Sequence, residues 1–298
     1  MLTIGKEHVT ASCSPHNAPA ARCADGDTVC FVTRDCYDDR LHADGSVFER
    51  EKALENPATG PLFVEGAMPG DVLKVEILDI KTNDTGLMRA SVVGGAFWDL
   101  VSERRVRQFD LRGGALQFND KLRFPLDTMI GVIGTAPAYD TVMTHTPGAH
   151  GGNMDCNKIV AGSTLYLPVE VEGALLSIGD LHGLMGDGEV MICGVETGGR
   201  VTVRVSAVRN FAMPTPALRC RGRFMTIQSD RTLDEASRNA SRAMLRFLMQ
   251  TTGMDVYDCA MLLSIKGDLA VCQIVDPART VRMEIDESIL EAYGVRLP

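Results

Sequence analysis

One tryptophan and five tyrosines in 298 residues leave the chain poor in the large rings that stack on extended aromatic ligands or on bases. A small polar ligand is the better match. Excess positive charge is missing too: 30 Lys and Arg face 39 Asp and Glu, a net charge of −9, and no long basic run occurs. That balance argues against nucleic acid or an anionic membrane as partner, since both are held by basic patches that release counterions. No uninterrupted apolar run approaches the roughly 20 residues that span a bilayer. Met1 to His8 lacks the apolar core of a signal peptide, so a soluble cytoplasmic protein is expected. The nine cysteines are an odd number and never fall as Cys-x-x-Cys, in a chain long enough to fold without staples. They are read as small buried hydrophobes.

Helical periodicity is also scarce before residue 215. Thr28–Thr33 reads as a buried strand. Leu73, Val75 and Ile77 share one face of a second strand while Lys74 and Glu76 share the other, and Val201, Val203 and Val205 alternate with Arg200, Thr202 and Arg204 in a third. Residues 190–194 read as more of the same, 104–121 as a solvated surface loop, and the lone Trp98 as core. At Met213-Pro-Thr-Pro216 the pattern changes. Thr232-Leu-Asp-Glu235 is a capping box opening an amphipathic helix that ends at Gly253, and a second helix begins near Asp255. Strands follow at 269–275 and 280–285. The expected fold is mainly β, a sandwich or barrel-like body over 1–215, with a C-terminal α+β subdomain over 216–298.

Chemistry concentrates between Pro147 and Glu189. His150-Gly-Gly-Asn153-Met-Asp155-Cys156 precedes an alternating apolar run, and Gly179-Asp180-Leu-His182 to Asp187-Gly-Glu189 follows it. A strand between the two would bring both ends to one sheet edge, where glycine permits close backbone approach to a ligand. Imidazole beside carboxylate suits zinc, while carboxylate-rich sets suit calcium or magnesium. Elsewhere Asp35, at the end of a strand with Cys36 behind it, either enters a cleft or sits in a solvated loop. Glu65, which interrupts an apolar strand, either faces outward or meets a ligand.

These residues resemble the acetamidase/formamidase family. The features that carry the resemblance are Asn56-Pro-Ala-Thr-Gly-Pro-Leu-Phe-Val-Glu-Gly-Ala-Met-Pro-Gly-Asp71, Pro147-Gly-Ala-His-Gly-Gly-Asn-Met-Asp155, Gly179-Asp-Leu-His-Gly-Leu-Met-Gly-Asp-Gly-Glu189 and Gly267-Asp-Leu-Ala-Val-Cys-Gln-Ile-Val-Asp-Pro277. They occur in this order from about residue 20 to nearly the end. Met185 stands where many relatives carry Gln. The resemblance implies a metal-dependent hydrolase that cleaves small linear amides to carboxylate and ammonia, working as a homodimer or larger homo-oligomer. On that reading a divalent ion, zinc first and calcium second, is held by Asp35, Asp155 and His182, with His150 or Asp180 as a further ligand or an orienting group. Glu65 and Glu189 become the candidate proton carriers, and Gly151, Gly152 and Asn153 the donors to the oxyanion. Two rivals stand beside it: Cys156 as nucleophile with His150 as base, and a β-rich protein that binds a metal or carboxamide without turning it over.

Overall fold

The computed structural model describes residues 1–49 and 53–298. Two nine-stranded sheets dominate it. The first runs, in spatial order, through Leu2–Ile4, Thr28–Thr33, Gly199–Val208, Val72–Thr82, Thr164–Pro168, Ala217–Cys220, Arg223–Asp230, Arg279–Asp286 and Asp268–Gln273. The second runs through Gly151–Asn153, Met129–Gly134, Leu176–His182, Glu196–Thr197, Thr85–Ala90 and Arg105–Asp110, with Ala58–Val64 also paired to Leu176–His182.

The alternation seen in the sequence decides which faces meet. Leu73, Val75, Ile77, Val201, Val203 and Val205 turn inward from the first sheet. They share one buried core with Leu62, Met129, Ile130, Ile133, Leu176, Ile178 and Leu181 of the second. Two sheets that bury one face each in this way form a sandwich, as expected.

The C-terminal strands extend the first sheet without a break, and helices cover that end of it. Helix α1 (Leu233–Thr252) is capped as its sequence requires: Thr232 Oγ1 accepts from Glu235 N–H at 3.2 Å, and Gly253 closes it in the left-handed conformation. Its buried stripe, Ala236, Ala240, Met244 and Phe247, packs on Phe224, Val281 and Ile285. Helix α2 (Val256–Lys266) starts from Asp255, whose side chain accepts from Asp258 N–H. A short helix, Glu287–Ala292, had no clear signal in the sequence. Among the described residues no helix is long and apolar enough to cross a membrane.

Three local readings are corrected. Residues 190–194 form a turn, because Glu189 leaves the preceding bridge in a left-handed conformation and the chain folds back, with Ile192 N–H on Glu189 C=O. Residues 105–125 form strands: Arg105–Asp110 joins the second sheet, and Ala115–Asn119 pairs with Leu122–Pro125 over a small core of Phe109, Leu111, Leu116 and Val195. Trp98 is not core. It lies in a turn-rich stretch and is 54% exposed, in a run with exposed Val93, Phe97 and Leu100.

Candidate metal centre

Strand Leu176–His182 carries the site, because Asp180 and His182, two apart, fall on the same face. His182 lies opposite Glu196 on the neighbouring strand, and that register brings the imidazole Nε2 to 3.1 Å from Glu196 Oε2. The same nitrogen is 3.3 Å from Asp180 Oδ1 and 4.0 Å from Asp155 Oδ1. All four side chains are buried. Gly131, on the strand at the other side, makes the room. A Cβ there would stand 2.5 Å from Asp155 Oδ1 and 2.8 Å from Asp180 Oδ2, so this position admits no side chain while the carboxylates keep their places.

Two further acids complete the cluster. Glu189 is delivered by the 186–189 turn, which is tied down at both flanks. Asp187 makes a bidentate pair with Arg282, 2.7 Å on each oxygen, and Gly188 exchanges backbone hydrogen bonds with Cys272 and Ile274. Asp276 comes from the loop between the last two strands. Fully buried Gln273 shapes that loop: its Oε1 accepts from the N–H groups of Val275 and Asp276, while its Nε2 donates to Ala278 C=O and Thr280 Oγ1. Asn153 Nδ2 then donates to Asp276 Oδ2 at 2.9 Å, and Asn56 Nδ2 donates to Asp180 Oδ2 at 3.2 Å.

Backbone strain gathers here. Asn56, Asp155, Asp180 and Glu189 all adopt left-handed conformations, with φ of 47°, 43°, 54° and 45°. Non-glycine residues pay for that geometry, least for Asn and Asp, and it persists where the surroundings impose it.

Burial sets the electrostatics. It raises Asp155 to about 6, with Asp180 adding to the rise and His182 opposing it, and raises Glu196 to about 7 against the pull of His182. Glu189 and Asp276 are pushed well above the carboxylate range, by burial and then by the nearby Asp155. Burial also works against the charged forms of His182 and Asp180. Glu196 and then Asp180 overcome it for the imidazole, which is raised, and His182 overcomes it for Asp180, which is lowered. Crowded acids with perturbed affinities of this kind mark functional sites more often than structural ones.

Many of these polar atoms have no hydrogen-bond partner: both Asp155 oxygens, Asp180 Oδ1, Glu189 Oε2, Glu196 Oε2 and both His182 nitrogens. Buried groups left unsatisfied are costly, and a cation would satisfy a set of this composition. Two trios can each close around an ion. Asp155, His182 and Glu189 form one, and Cys36, Asp180 and Glu196 the other, with the ligand atoms of each within 4.8 Å of one another. The donor set therefore fits a divalent metal. Beside it opens a cavity of about 330 Å3, whose lining includes Asn153, Asp180, Glu189, Glu196 and Asp276 together with Tyr37, Arg40, Arg89 and Arg104.

Of the residues singled out in the sequence, Asp155, Asp180, His182 and Glu189 meet in this centre, and Asn153 reaches the cavity. The others lie elsewhere. Glu65 is exposed on a tight turn and pairs with Arg22 at 3.2 Å, so the outward-facing alternative describes it. Asp35 is buried but spends its Oδ1 on the N–H groups of Tyr37 and Asp39; this turn presents Cys36 to the cavity instead. Burial lifts its carboxyl to about 6. His150 folds back over its own turn, against Gly148 and Gly152, and burial lowers it to about 4. Gly151 and Gly152 are both closely packed. Gly151 N–H is taken by Gly148 C=O, and a Cβ on either glycine would strike backbone oxygen, of Ile133 at 2.4 Å and Thr146 at 2.5 Å. Cys156 is fully buried in the core and absent from the cavity wall. Its thiol is lowered by hydrogen bonding from Cys272, against burial and with help from Arg282.

Glu196, Cys36 and Asp276 were not among the candidates. Asp276 had a signal, since it stands next to last in the fourth motif.

Fold and site together define a β-sandwich protein built around a buried imidazole–carboxylate centre at its strand ends. Comparison with known proteins places it more narrowly. Residues 6–146 and 138–289 match the sequence profile of the Acetamidase/Formamidase family, and the chain belongs to that family. The crystal structure of the Bacillus halodurans acetamidase superposes with a TM-score of 0.93 at 44% identity, covering 99% of this chain and 100% of that one. The Thermoanaerobacter tengcongensis protein, predicted to be an acetamidase/formamidase, gives 0.96 at 38% identity over 99% of each chain. The acetamidase of Mycolicibacterium smegmatis is 31% identical over 218 residues, 51% of this chain and 53% of that protein. The chain thus spans about half the length of the curated relatives it matches.

Proposed function

We propose that this protein is a metal-dependent amidohydrolase that cleaves small linear carboxamides, of the formamide and acetamide type, to carboxylate and ammonia. The observation that carries the reading is the set of buried carboxylate and imidazole atoms crowded around His182 without hydrogen-bond partners, at the wall of a cavity. Family membership and the likeness to an acetamidase structure support it.

Amides resist water because resonance weakens the carbonyl as an electrophile and leaves the nitrogen a poor leaving group. A divalent ion bound here would polarise the carbonyl and make water more acidic. Asp155, His182 and Glu189, with Cys36, Asp180 and Glu196, are the residues to hold it, and zinc suits an imidazole–carboxylate–thiolate set best, calcium less well. The protein supplies the rest. Asp276, whose carboxyl is pushed well above the carboxylate range by burial and then by Asp155, is the group to hold a proton and return it to the departing nitrogen. Asn153, with no hydrogen bond to its Oδ1 and its amide donating to Asp276, orients that carboxyl. The proposal carries a dimeric or larger assembly as well, supported by the exposed run Val93, Phe97, Trp98 and Leu100.

The test is ammonia release from formamide, acetamide and propionamide by purified protein and by His182→Ala. The wild type is expected to release ammonia from at least one and the variant from none. Absence of release from all three by metal-replete wild type would leave the non-catalytic binding protein as the better reading.

A further inference from the structure

The cavity that the acids line is also lined by three arginines, Arg40, Arg89 and Arg104. They do not neutralise the acid cluster, whose ion pairs run to His182. Other arginines around the site are saturated. Arg282 is held by Asp187 and Glu284, and Arg34 by Asp38. Arg89 is different. Its Nε is buried with no hydrogen-bond partner, and among the described residues its guanidinium makes no ion pair. Its guanidinium lies over the Tyr37 ring, 5.2 Å from the centroid, which can fix the plane of the fork at the cavity wall. Arg40 Nε makes no hydrogen bond and has only a long ion pair, 3.9 Å to Asp38 Oδ2, a carboxylate already engaged by Arg34. Arg104 is exposed and has no ion pair among the described residues. Glu55, the cavity's other acid, is exposed and pairs with none of the three.

Unpaired cationic forks at a cavity wall call for an anion, because a buried guanidinium nitrogen without an acceptor is costly and a carboxylate meets it with charge-assisted hydrogen bonds. Size points the same way. At roughly 30 Å3 for each water-sized group, an amide of three or four non-hydrogen atoms takes on the order of 100 Å3. The cavity offers about 330 Å3.

We infer that the preferred substrate is the monoamide of a short dicarboxylic acid, its carboxamide at the acid wall and its free carboxylate held by Arg89 and Arg104, with Arg40 adding charge. This rests on the amidohydrolase reading and narrows its substrate class. The reaction stays a hydrolysis. Water supplies the oxygen of the new C–O bond, the C–N bond breaks, both of water's protons pass to the nitrogen, and ammonium leaves a dicarboxylate behind with no change in oxidation state.

Succinamate and butyramide share a carboxamide on a short unbranched chain and differ in the terminal carboxylate, so their kcat/KM ratio reads the inference directly. Succinamate is expected to be favoured by about 30-fold or more at low salt, falling as salt screens the arginines. Arg89→Gln and Arg104→Gln should each cut the ratio by about 10-fold, with Arg104, being exposed, the variant that leaves folding untouched. A wild-type ratio near one or below, or a ratio that neither variant changes, overturns the inference while leaving amide hydrolysis intact. If neither compound is turned over, the amidohydrolase reading fails first. Calorimetry with the same two compounds then decides the anion site: succinamate binding at least about 10-fold tighter than butyramide supports it, and equal binding ends it.

Discussion

A single methyl group placed at Gly131 should disable the centre without unfolding the protein. An Ala Cβ there would sit 2.5 Å from Asp155 Oδ1, 2.8 Å from Asp180 Oδ2 and 3.0 Å from Asp180 C=O, where ordinary contact begins at 3.4 Å. Restoring that contact moves the Asp155 oxygen by about 0.9 Å and the Asp180 oxygen by about 0.6 Å. Metal ligands tolerate roughly 0.2 Å, and a displacement of about 1 Å at a reacting centre can cost on the order of 100-fold in rate. Overpacking costs about 1–3 kcal/mol, partly offset by the roughly 0.4–1 kcal/mol that Gly→Ala gains in the unfolded chain. Gly131→Ala is therefore expected to lose no more than about 2 kcal/mol by urea denaturation, to bind metal substoichiometrically, and to fall about 100-fold or more in ammonia release. Gly186→Ala is the matched control, since a Cβ there meets nothing within 4 Å. Wild-type metal content and turnover in Gly131→Ala would refute the claim that these carboxylates form the working site.

Three further outcomes follow from where individual side chains lie. Glu65→Gln removes an exposed partner of Arg22, and should change turnover less than about 3-fold and stability by less than about 0.5 kcal/mol; a loss above about 100-fold would restore it as a proton carrier. Cys156→Ala should keep activity and cost about 1 kcal/mol for the volume lost, whereas a fall of about three orders of magnitude with metal still bound would revive the covalent rival. His150 is lowered in the fold to about 4 from 6.5, so the unfolded chain binds the extra proton between those values, and its contribution to stability is lost as pH falls from 6.5 through 4. About 3 kcal/mol of acid sensitivity should thus be missing from His150→Gln in denaturation curves at pH 7 and pH 4, and parallel curves would contradict the burial argument.

Much of the fold was legible because alternation and capping are local signals. Leu73 to Ile77 and Val201 to Val205 announced their inward faces, and Thr232 to Glu235 announced the start of a helix. The site was half legible. Asp155, Asp180, His182 and Glu189 stand in glycine-rich motifs that mark themselves. Glu196 matters because cross-strand register sets it opposite His182, and register is a long-range property. Asp276 arrives from far along the chain, on a loop whose shape depends on buried Gln273. Asp35 missed the cavity by one residue: its carboxylate folds back onto its own turn, and the neighbouring Cys36 lines the cavity. Trp98 misled because a large ring is usually buried, and here a run of apolar side chains is exposed together.

The central claim is that the cluster around His182 holds a divalent cation on which amide hydrolysis depends. Chelated protein, titrated back with zinc while bound metal and ammonia release are measured on the same samples, tests it most directly. Turnover is expected to be lost on chelation and to return in proportion to occupancy. Full turnover in protein shown by elemental analysis to be free of metal would contradict it.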